Sequence, residues 1–396
     1  TLLQTLKALQ QGQALHPAAL TGGLTLLVIL ILQHWCPRWP AILIGLLAGS
    51  TLAWGMGWSH SGQLAVVGTL PSGLPQLLWP QVSLAQALSL GGSALAIAQQ
   101  HGVSELVAGI LVGRNVAVDD VPQFLNPTLR DYLPDPFHLL DMEKAVARII
   151  RAVEGKERIA IFGDYDVDGT TSCALFYHFF KMLNVEIDIV QPSRFIEGYG
   201  LHLSSIDEAV QKNIKVLITV DCGITNNEAA DSAKEKGLDL IITDHHKDAR
   251  VTMPDAFAVI NPNRRDEDFS SELKTLAGVA VAFALAVQIR SDLLAQGKNI
   301  PSLYPLLQFV AIGTICDLAH LSPVNLKLVR HGLKQLKETE YPGLRAFFTA
   351  DELKAKTIPS EKLAFSIGPL INSKGRLDHP EIALQLLIAQ TSERAR

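Results

Sequence analysis

Three aspartates follow a short apolar run in the stretch IAIFGDYDVDGTTS, which extends from Ile159 to Ser172. They are Asp164, Asp166 and Asp168, so three carboxylates occupy alternate positions directly after a predicted buried strand. Like charges this close together repel and raise one another's pKa unless a cation lies among them. The stretch is therefore either a solvated turn, in which Asp168 or Thr170 caps the following helix, or part of a metal site.

Two further apolar runs end in side chains that can bind a metal. KVLITV ends at Asp221, and LDLIIT ends at Asp244, His245 and His246. A single aspartate after a strand is more often a turn former than a ligand. In open α/β sheets, however, the ligand crevice lies outside the carboxyl ends of the strands, so these groups are expected to meet Asp164 and its neighbours in space. Their convergence favours a metal site over three separate turns.

The pattern from residue 151 onward alternates short β-rich apolar runs with longer amphipathic ones, which is typical of βαβ units. It predicts strands at Ile159–Gly163, Val185–Gln191, Lys215–Val220, Asp239–Thr243 and Ala256–Ile260. It predicts helices at Thr170–Leu183, Leu203–Lys212 and Asn226–Glu235, after a helical region around Leu106–Arg151. The predicted fold class is α/β, a parallel sheet with helices on both faces.

The types of candidate ligand restrict the metal and the chemistry. Carboxylates with one or two imidazoles suit Mn²⁺ or Mg²⁺ better than a structural zinc, whose usual ligands include sulfur. The four cysteines are far apart and form no C-x-x-C pair, which indicates neither a zinc knuckle nor a disulfide framework and fits a reducing cytoplasm. Several aspartates with two histidines are enough to hold two ions that share a carboxylate. Such a pair activates water and stabilises both the entering and the leaving oxygen at phosphorus, so the predicted reaction is phosphoester hydrolysis.

Four short motifs, DYDVDG, VDCG, TDHH and GTICDL, resemble those of the DHH phosphoesterase superfamily. PSRFIEGYGL, LAGVAVAFAL and INSKGRLDH, with FLNPTLRDYLPDPFHLLDMEKAV upstream, resemble the RecJ family of single-strand-specific 5′ to 3′ exonucleases. This resemblance covers residues 95–396. It implies single-stranded DNA as the partner, two divalent cations, Mn²⁺ or Mg²⁺, as cofactors, and a role in DNA repair and recombination.

The resemblance also implies roles for individual residues. Asp221 would bridge the two ions, and His246 would be a ligand or a contact to the scissile phosphate. Asp244 would orient a histidine without binding metal itself. The implied metal ligands are Asp164, Asp166, Asp168, Asp221, His245, His246 and Asp317, of which Asp166, Asp168, Asp221, His245 and His246 are the candidate catalytic residues.

Two arginines and an asparagine are candidates for contacts to a substrate phosphate. Arg376 in NSKGR and Arg194 can each bind a phosphate bidentately, and the alternative for either is an ordinary surface charge. Asn372 is a weaker candidate. Where RecJ-type relatives usually have NAAGR this chain has NSKGR, which places Lys374 beside the expected phosphate path.

Charge is distributed very unevenly along the chain. Residues 1–104 contain Lys7 and Arg38 and no other Lys, Arg, Asp or Glu, so the remaining 32 basic and 39 acidic residues all lie after that point. The formal net charge of −5 argues against general electrostatic attraction to nucleic acid. Ala18–Trp35 and Ala41–Trp58 are uncharged and close to the length that a bilayer core requires, with a pair of buried soluble helices as the alternative.

Residues 1–92 resemble part of the membrane domain of the SulP sulfate permease family, through these two spans and the loop VVGTLPSGLP. Two or three helices cannot form an alternating-access transporter, so a fusion with a seam near residues 88–100 is expected. The predicted parts are a hydrophobic, SulP-like transmembrane fragment (1–95), a helical region (96–150), a DHH phosphoesterase domain (151–340), and a linker with the start of a truncated DHH-associated domain (341–396).

The chain lacks an initial methionine and is expected to be a fragment. The resemblance implies a DHH-associated domain and an OB-fold beyond residue 396, so an intact metal site with weak grip on long DNA is expected. Two alternatives stay open. One is a DHH hydrolase of short oligonucleotides, cyclic dinucleotides or pyrophosphate, and the other is an inactive membrane-anchored fusion fragment. The catalytic part is expected in the cytoplasm, at the membrane if the N-terminal segment is genuine.

Overall fold

In the computed structural model, the chain divides into two compact units, residues 1–83 and 84–396. The structure describes residues 17–36, 39–58, 61, 64, 82–126, 139–192, 198, 200–247, 252–266, 273–377, 381–391, 393 and 394, with 374–377 described by their backbone alone. The four-part division of the chain and the seam near residues 88–100 stay predictions.

In its described residues, the first unit contains two helices, α1 (Pro17–Trp35) and α2 (Ala41–Gly55). They pack closely at two glycines of α2. A Cβ atom added at Gly45 would lie 2.5 Å from Ile29 Cγ1, and one added at Gly49 would lie 2.1 Å from Thr25 Oγ1. The second predicted apolar span continues to Trp58, whereas α2 ends at Gly55. Of the described helices, α1 and the later Gly278–Ala295 are long and apolar enough to cross a membrane. The Gly278–Ala295 helix is mostly buried in protein, whereas none of the apolar window of α1 is.

The second unit begins with a small helical cluster. Its helices are α3 (Leu84–His101), α4 (Glu105–Gly113) and α5 (Val121–Leu125), which share a separate core of Ile97, Ala108, Leu111 and Val121. Ser104 caps α4 by accepting a hydrogen bond from the Val107 amide. The helix α6 (Met142–Gly155) follows and packs on the central sheet.

A parallel five-stranded sheet, counted among the described residues, forms the centre of the second unit in the order β2-β1-β3-β4-β5. Its elements are β1 (Ile159–Gly163), α7 (Val167–Met182), β2 (Ile187–Val190), α8 (Leu203–Gln211), β3 (Val216–Val220), α9 (Asn227–Glu235), β4 (Asp239–Thr243) and β5 (Ala258–Ile260). β2 and β5, the two outer strands, are shorter than predicted because each has a ladder partner on one side only.

Helices cover both faces of this sheet, as the alternating pattern predicts. Ile159 and Ile161 of β1 pack in one hydrophobic cluster with α6, α7 and helices from the C-terminal half, whereas Ala160 and Phe162 pack in a second cluster with α8 and α9. Since α7 and α8 lie on opposite faces, the chain changes sides between β1 and β3. In open parallel sheets this position is where ligands bind.

The C-terminal half is helical. It comprises α10 (Gly278–Ala295), α11 (Leu307–Cys316), α12 (Pro323–Lys337), α13 (Pro342–Arg345), α14 (Ala350–Lys354), α15 (Ser360–Lys362), a π-helical turn (Leu363–Ile367), α16 (Gly368–Leu377) and α17 (Glu381–Leu387). α10 and α11 are buried beside α7, so the largest core of the molecule lies on the α7 face of the sheet.

We expect Gly332→Ala to lower the free energy of unfolding by about 1–3 kcal/mol, because overpacking a tight contact forces the backbones apart. A Cβ at Gly332 of α12 would lie 2.2 Å from Leu307 O and 2.5 Å from Ala311 Cβ, both of α11. Gly109→Ala in α4 is the control, since nothing lies within 4 Å of its Cβ position. That substitution is expected to stabilise by about 0.5–1 kcal/mol. Chemical denaturation measures both, and equal effects of the two would contradict the packing argument.

Candidate metal centre

The carboxyl ends of β1, β3 and β4 bring the predicted aspartates to one edge of the sheet. The backbone ladder continues one residue beyond each strand. The Asp164 amide donates to Val220 O at 3.3 Å, and the Asp221 amide donates to Thr243 O at 3.0 Å. The Asp244 amide continues the same row by donating to an oxygen of β5 at 3.1 Å. The three aspartates are thus fixed side by side, as parallel strands require.

Asp166, and not Asp168 or Thr170, caps the helix that follows β1. Its side chain accepts a hydrogen bond from the Gly169 amide at 2.9 Å, and α7 begins at Val167, three residues earlier than predicted. The helix-cap interpretation of this stretch was therefore wrong in position. Asp168 instead lies in the first turn of α7 and is 1% exposed.

Seven carboxylates and imidazoles converge around one space at this edge. They form three groups, and within each group the ligating atoms all lie within 4.8 Å of one another. Asp221 belongs to two groups and His245 to two groups, so neighbouring ions would share ligands. The groups are Asp164, Asp166 and Asp221; Asp221, His245 and His246; and Asp168, His245 and Asp317.

Three buried polar atoms of the cluster have no hydrogen-bond partner: Asp164 Oδ1, Asp221 Oδ1 and His245 Nε2. His245 Nε2 lies 3.1 Å from Asp221 Oδ1. The backbone of Leu276 favours the protonated form of the His245 ring, but burial outweighs this effect. Buried polar atoms are almost always paired, so three unpaired ligating atoms facing one another fit a metal ion.

Asp244 differs from the other acidic residues because both of its oxygens are fully engaged. Oδ1 accepts from the amides of His245 and His246 at 2.7 and 3.1 Å and contacts His246 Nδ1 at 2.7 Å. Oδ2 accepts from the Ile224 amide at 3.0 Å. Burial opposes ionisation, but these hydrogen bonds and the charge of His246 hold the pKa of Asp244 below its usual value. The carboxylate therefore stays charged and orients the His246 ring.

The remaining carboxylates are held in an environment that disfavours their charge. Burial, followed by repulsion from Asp166, raises the pKa of Asp164 to about 7. Burial and the same neighbour raise the pKa of Asp317 to about 6. Burial and surrounding acids also raise the pKa values of Asp168 and Asp221 well above the usual range. A divalent cation would reverse these shifts, because it favours the ionised form of every carboxylate around it.

The two histidines differ in protonation. Burial, followed by the charge of His246, lowers the pKa of His245, so this ring is neutral at pH 7 and can act as a ligand. The hydrogen bond with Asp244 raises the pKa of His246 to about 9, and its side chain is 44% exposed. In the metal-free protein His246 is therefore a cation at the rim of the site.

Asp221 also requires a close approach of α10. It has a left-handed backbone with φ of 61°, a conformation that aspartate tolerates. A Cβ added at Gly278 would lie 2.7 Å from Asp221 Oδ1 and 2.8 Å from its Cβ. Only glycine fits at the start of α10 while Asp221 keeps this position.

The candidate phosphate contacts are largely outside the described structure. Arg194 lies outside the described residues, as do the side chains of Arg376 and Lys374 on α16. Asn372 lies half-buried on α16. All three phosphate contacts stay predictions.

Sequence reasoning missed three neutral side chains that support the site. Gln191, just after β2, donates to Asp164 O at 2.8 Å and to Thr170 Oγ1 at 3.1 Å. Asn261 and Asn263, just after β5, donate to the carbonyls of His246 and His245 at 3.0 and 2.6 Å. The rule that selected the aspartates, a polar residue after a strand, applies to these residues as well. They carry no charge, so the pattern of ionisable residues after the strands does not indicate them.

We expect Asp221→Asn to raise the free energy of unfolding of the metal-free protein at pH 8 by about 1–3 kcal/mol, since it replaces a buried carboxyl whose ionised form is disfavoured in the fold with a neutral amide. Mn²⁺ should stabilise the parent protein and leave the variant almost unchanged. Asp231→Asn on α9, an exposed carboxylate, is the control and is expected to stay within about 0.5 kcal/mol of the parent. Thermal unfolding with and without Mn²⁺ measures both effects, and a destabilised metal-free Asp221→Asn would contradict this account.

The pH dependence has a definite sign. Because Asp164 and Asp317 have raised pKa values in the folded state, these two carboxyls hold more protons in the metal-free folded protein than they do in the unfolded chain, and so oppose folding as the pH rises. We expect the stability of the metal-free protein to fall as the pH rises from about 4 to about 7, the reverse of an ordinary ion-paired carboxylate. Mn²⁺ should remove most of this slope, and a metal-free stability that rises over the same range would contradict the shifts.

Comparison with known proteins agrees with this geometry. Residues 158–314 match the family described as the DHH family, N-terminal domain. The single-stranded-DNA-specific exonuclease RecJ of Bacillus subtilis is 34% identical over 298 residues, which are 75% of this chain and 36% of that protein. The chain spans less than half the length of this relative and of the RecJ proteins of Haemophilus influenzae and Escherichia coli.

Solved structures show the same fold. A crystal structure of exonuclease RecJ bound to manganese is 32% identical, with a TM-score of 0.58 over 66% of this chain and 63% of that chain. RecJ of Thermus thermophilus in complex with Mn²⁺ is 28% identical, with a TM-score of 0.63 over 77% of this chain and 42% of that chain, and it has also been solved with Mg²⁺. Residues 158–314 of this chain therefore match the DHH family, N-terminal domain, and share the parallel-sheet fold of the RecJ structures.

Proposed function

We propose that this chain carries the catalytic part of a metal-dependent phosphodiesterase that acts as a 5′ to 3′ exonuclease on single-stranded DNA in repair and recombination. The observation that carries the proposal is the convergence of seven ligating side chains with three unpaired buried atoms among them. The substrate class is supported by the similarity to single-stranded-DNA-specific exonucleases. The 5′ to 3′ polarity rests on the sequence resemblance alone.

Two divalent cations, Mn²⁺ or Mg²⁺, are the proposed cofactors. The group containing Asp164 and Asp166 would hold one ion and the group containing His245 and Asp317 the other, with Asp221 between them. The donor set is rich in oxygen, with imidazole and without thiolate, which fits Mn²⁺ and Mg²⁺. When bound, the ions would supply a nucleophile from water at neutral pH and stabilise negative charge on the phosphate.

The chain's own residues would position these groups and the substrate. Asp244 holds the His246 ring and keeps it protonated, so a positive charge lies at the exposed rim of the site. This arrangement supports a contact from His246 to the scissile phosphate, and the neutral, more buried His245 suits direct ligation. Both roles belong to the proposal.

We expect the purified chain to degrade 5′-labelled single-stranded DNA in the presence of Mn²⁺. Asp221→Ala and His245→Ala should each lose at least about 100-fold in rate, since each removes a ligand shared between two groups. Asp231→Ala on the exposed face of α9 is the control and should retain the parent rate. Activity that survives in both ligand variants would overturn the proposed site.

The substrate is tested separately by offering dinucleotides, cyclic dinucleotides and pyrophosphate beside a long single strand. Hydrolysis of the short substrates alone would replace the exonuclease proposal with the short-substrate alternative. Labels at the 5′ and 3′ ends of matched strands determine the polarity. The catalytic part is proposed to work in the cytoplasm.

We further propose that residues 17–58 lie in a membrane as a helical hairpin. Gly45 and Gly49 of α2 are buried and lie four residues apart, a spacing typical of paired membrane helices. Both face α1, at Ile29 and Thr25. Leu26, Leu30 and other large apolar side chains of the pair are more than half exposed. An origin in a SulP-type membrane domain stays a proposal from the sequence of residues 1–92, part of which lies outside the described residues.

We expect the chain to sediment with membranes and to be released by detergent but not by alkaline carbonate. Replacing both Leu26 and Leu30 of α1 with Glu should shift it to the supernatant, because a charge in the bilayer core is costly. Leu294→Glu, at an exposed position of α10, is the control and should not change the fraction. A parent chain that stays monomeric in buffer without detergent would contradict the membrane proposal.

A further inference from the structure

Residues 274–279 link the metal-binding elements through their backbone, and this stretch is named here the bridging segment. It contains the start of the LAGVAVAFAL motif, and it leads from a 3₁₀ turn into α10. Two successive carbonyls of the segment accept a hydrogen bond, each from a side chain of a different part of the site. The pairs are Asn263 Nδ2 with Lys274 O at 3.2 Å and Asn325 Nδ2 with Thr275 O at 2.6 Å.

The amides of Gly278 and Val279, in the same segment, hold the carboxylate of Asp168. Gly278 N donates to Asp168 Oδ2 at 2.7 Å, and Val279 N donates to Asp168 Oδ1 at 2.9 Å. Both oxygens of this buried carboxylate are therefore fixed by the first turn of α10. A shift of the bridging segment would therefore move the Asp168 carboxylate with it.

Asn263 connects the bridging segment to the backbone of the two histidines. The same Nδ2 group that reaches Lys274 O also donates to His245 O at 2.6 Å. The Asn263 amide donates to Asn261 Oδ1 at 2.7 Å, and Asn261 in turn donates to His246 O. The loop after β5 thus holds the loop after β4 against the start of α10.

Asn325 makes the corresponding connection on the other side. It lies on α12, is fully buried, and donates to His320 O at 2.9 Å in addition to Thr275 O. His320 follows Asp317 by three residues, so this side chain ties the bridging segment to the loop that carries the last candidate ligand. The Asn325 backbone amide also donates to Ser322 Oγ, which accepts from the Thr275 hydroxyl.

We propose that Asn263 and Asn325 are positioning residues of the metal centre, which act through the backbone of residues 274–279 to hold His245, Asp168 and Asp317 at ligating distance from one another. The proposal rests on the metal binding proposed above and deepens it. Neither side chain is among the candidate ligands.

Their chemistry suits this task. The candidate ligands come from four separated stretches of chain, and buried like charges push them apart. A functional metal site needs its ligands held to within about 0.5 Å, which packing and hydrogen bonds around the ligands provide. A carboxamide donates hydrogen bonds to two carbonyls without adding charge, whereas a lysine or arginine would bring a cation that competes with the metal.

The test compares Mn²⁺ affinity in Asn263→Ala, Asn325→Ala and the control Asn227→Ala. Asn227, at the start of α9, also donates two hydrogen bonds from Nδ2, to Thr252 Oγ1 and Thr252 O, on the opposite face of the sheet. Calorimetry on metal-free protein gives the affinity and the number of ions, and electron paramagnetic resonance counts free Mn²⁺ independently. Thermal unfolding without metal gives the stability of each variant.

We expect Asn263→Ala and Asn325→Ala each to weaken Mn²⁺ binding about 10- to 100-fold, the usual effect of losing a group that orients ligands. Asn227→Ala, which also loses two side-chain hydrogen bonds to the backbone and a hydroxyl, should bind Mn²⁺ as the parent does. Affinities within twofold of the parent in both test variants would overturn the proposal. Equal weakening in Asn227→Ala would overturn it too, since the effect would then be general destabilisation.

Two remaining outcomes are also decisive. If the buried Asn325→Ala does not fold, the Mn²⁺ affinity of the half-buried Asn263→Ala decides the question. If Asn263→Ala also fails to fold while Asn227→Ala folds, the role of Asn263 is structural and the proposal is overturned. If the parent protein itself binds no Mn²⁺, the proposed function is overturned. If the parent binds Mn²⁺ and the variants bind it equally well, the positioning role alone is overturned.

Discussion

Mutual repulsion among buried carboxylates is the constraint on which the rest of this structure depends. Asp164, Asp168 and Asp221 lie within one small space, and each is 3% exposed or less. Such a group is unfavourable in the absence of a cation, and the raised pKa of each carboxyl reflects this cost. The surrounding elements must therefore hold the carboxylates together against their own charge.

The sheet and the helices share this task. Parallel strands fix the backbones of Asp164 and Asp221 side by side through ladder hydrogen bonds that continue past the strand ends. The start of α10 fixes Asp168, and the Asp244 carboxylate fixes both histidines. Each ligand is thus held by neutral backbone groups or by a residue that is itself fully hydrogen-bonded, which leaves the ligating atoms facing one another.

The sequence was sufficient for the strands, for their parallel arrangement and for the edge at which the ionisable residues gather, because each follows from the alternation of short apolar runs with amphipathic ones and from the position of charge after an apolar run. It was insufficient for the first residue of a helix, as in the assignment of the helix cap to Asp168 or Thr170 instead of Asp166. It was also insufficient for Asn325, whose partners are backbone carbonyls. Such partners leave no pattern in the side chains, and Asn325 lies 50 residues from the carbonyl that it contacts.

Two helices, α7 and α10, begin at the carboxylate cluster, with Asp166 and Asp168 bonded to their first amides. A helix N-terminus carries about half a positive charge. Together the two termini offset part of the negative potential before any ion arrives, which helps the metal-free protein to stay folded. The same positive ends weaken the attraction for a cation below what the number of carboxylates implies. The same two helix ends therefore favour the metal-free fold at the expense of cation affinity.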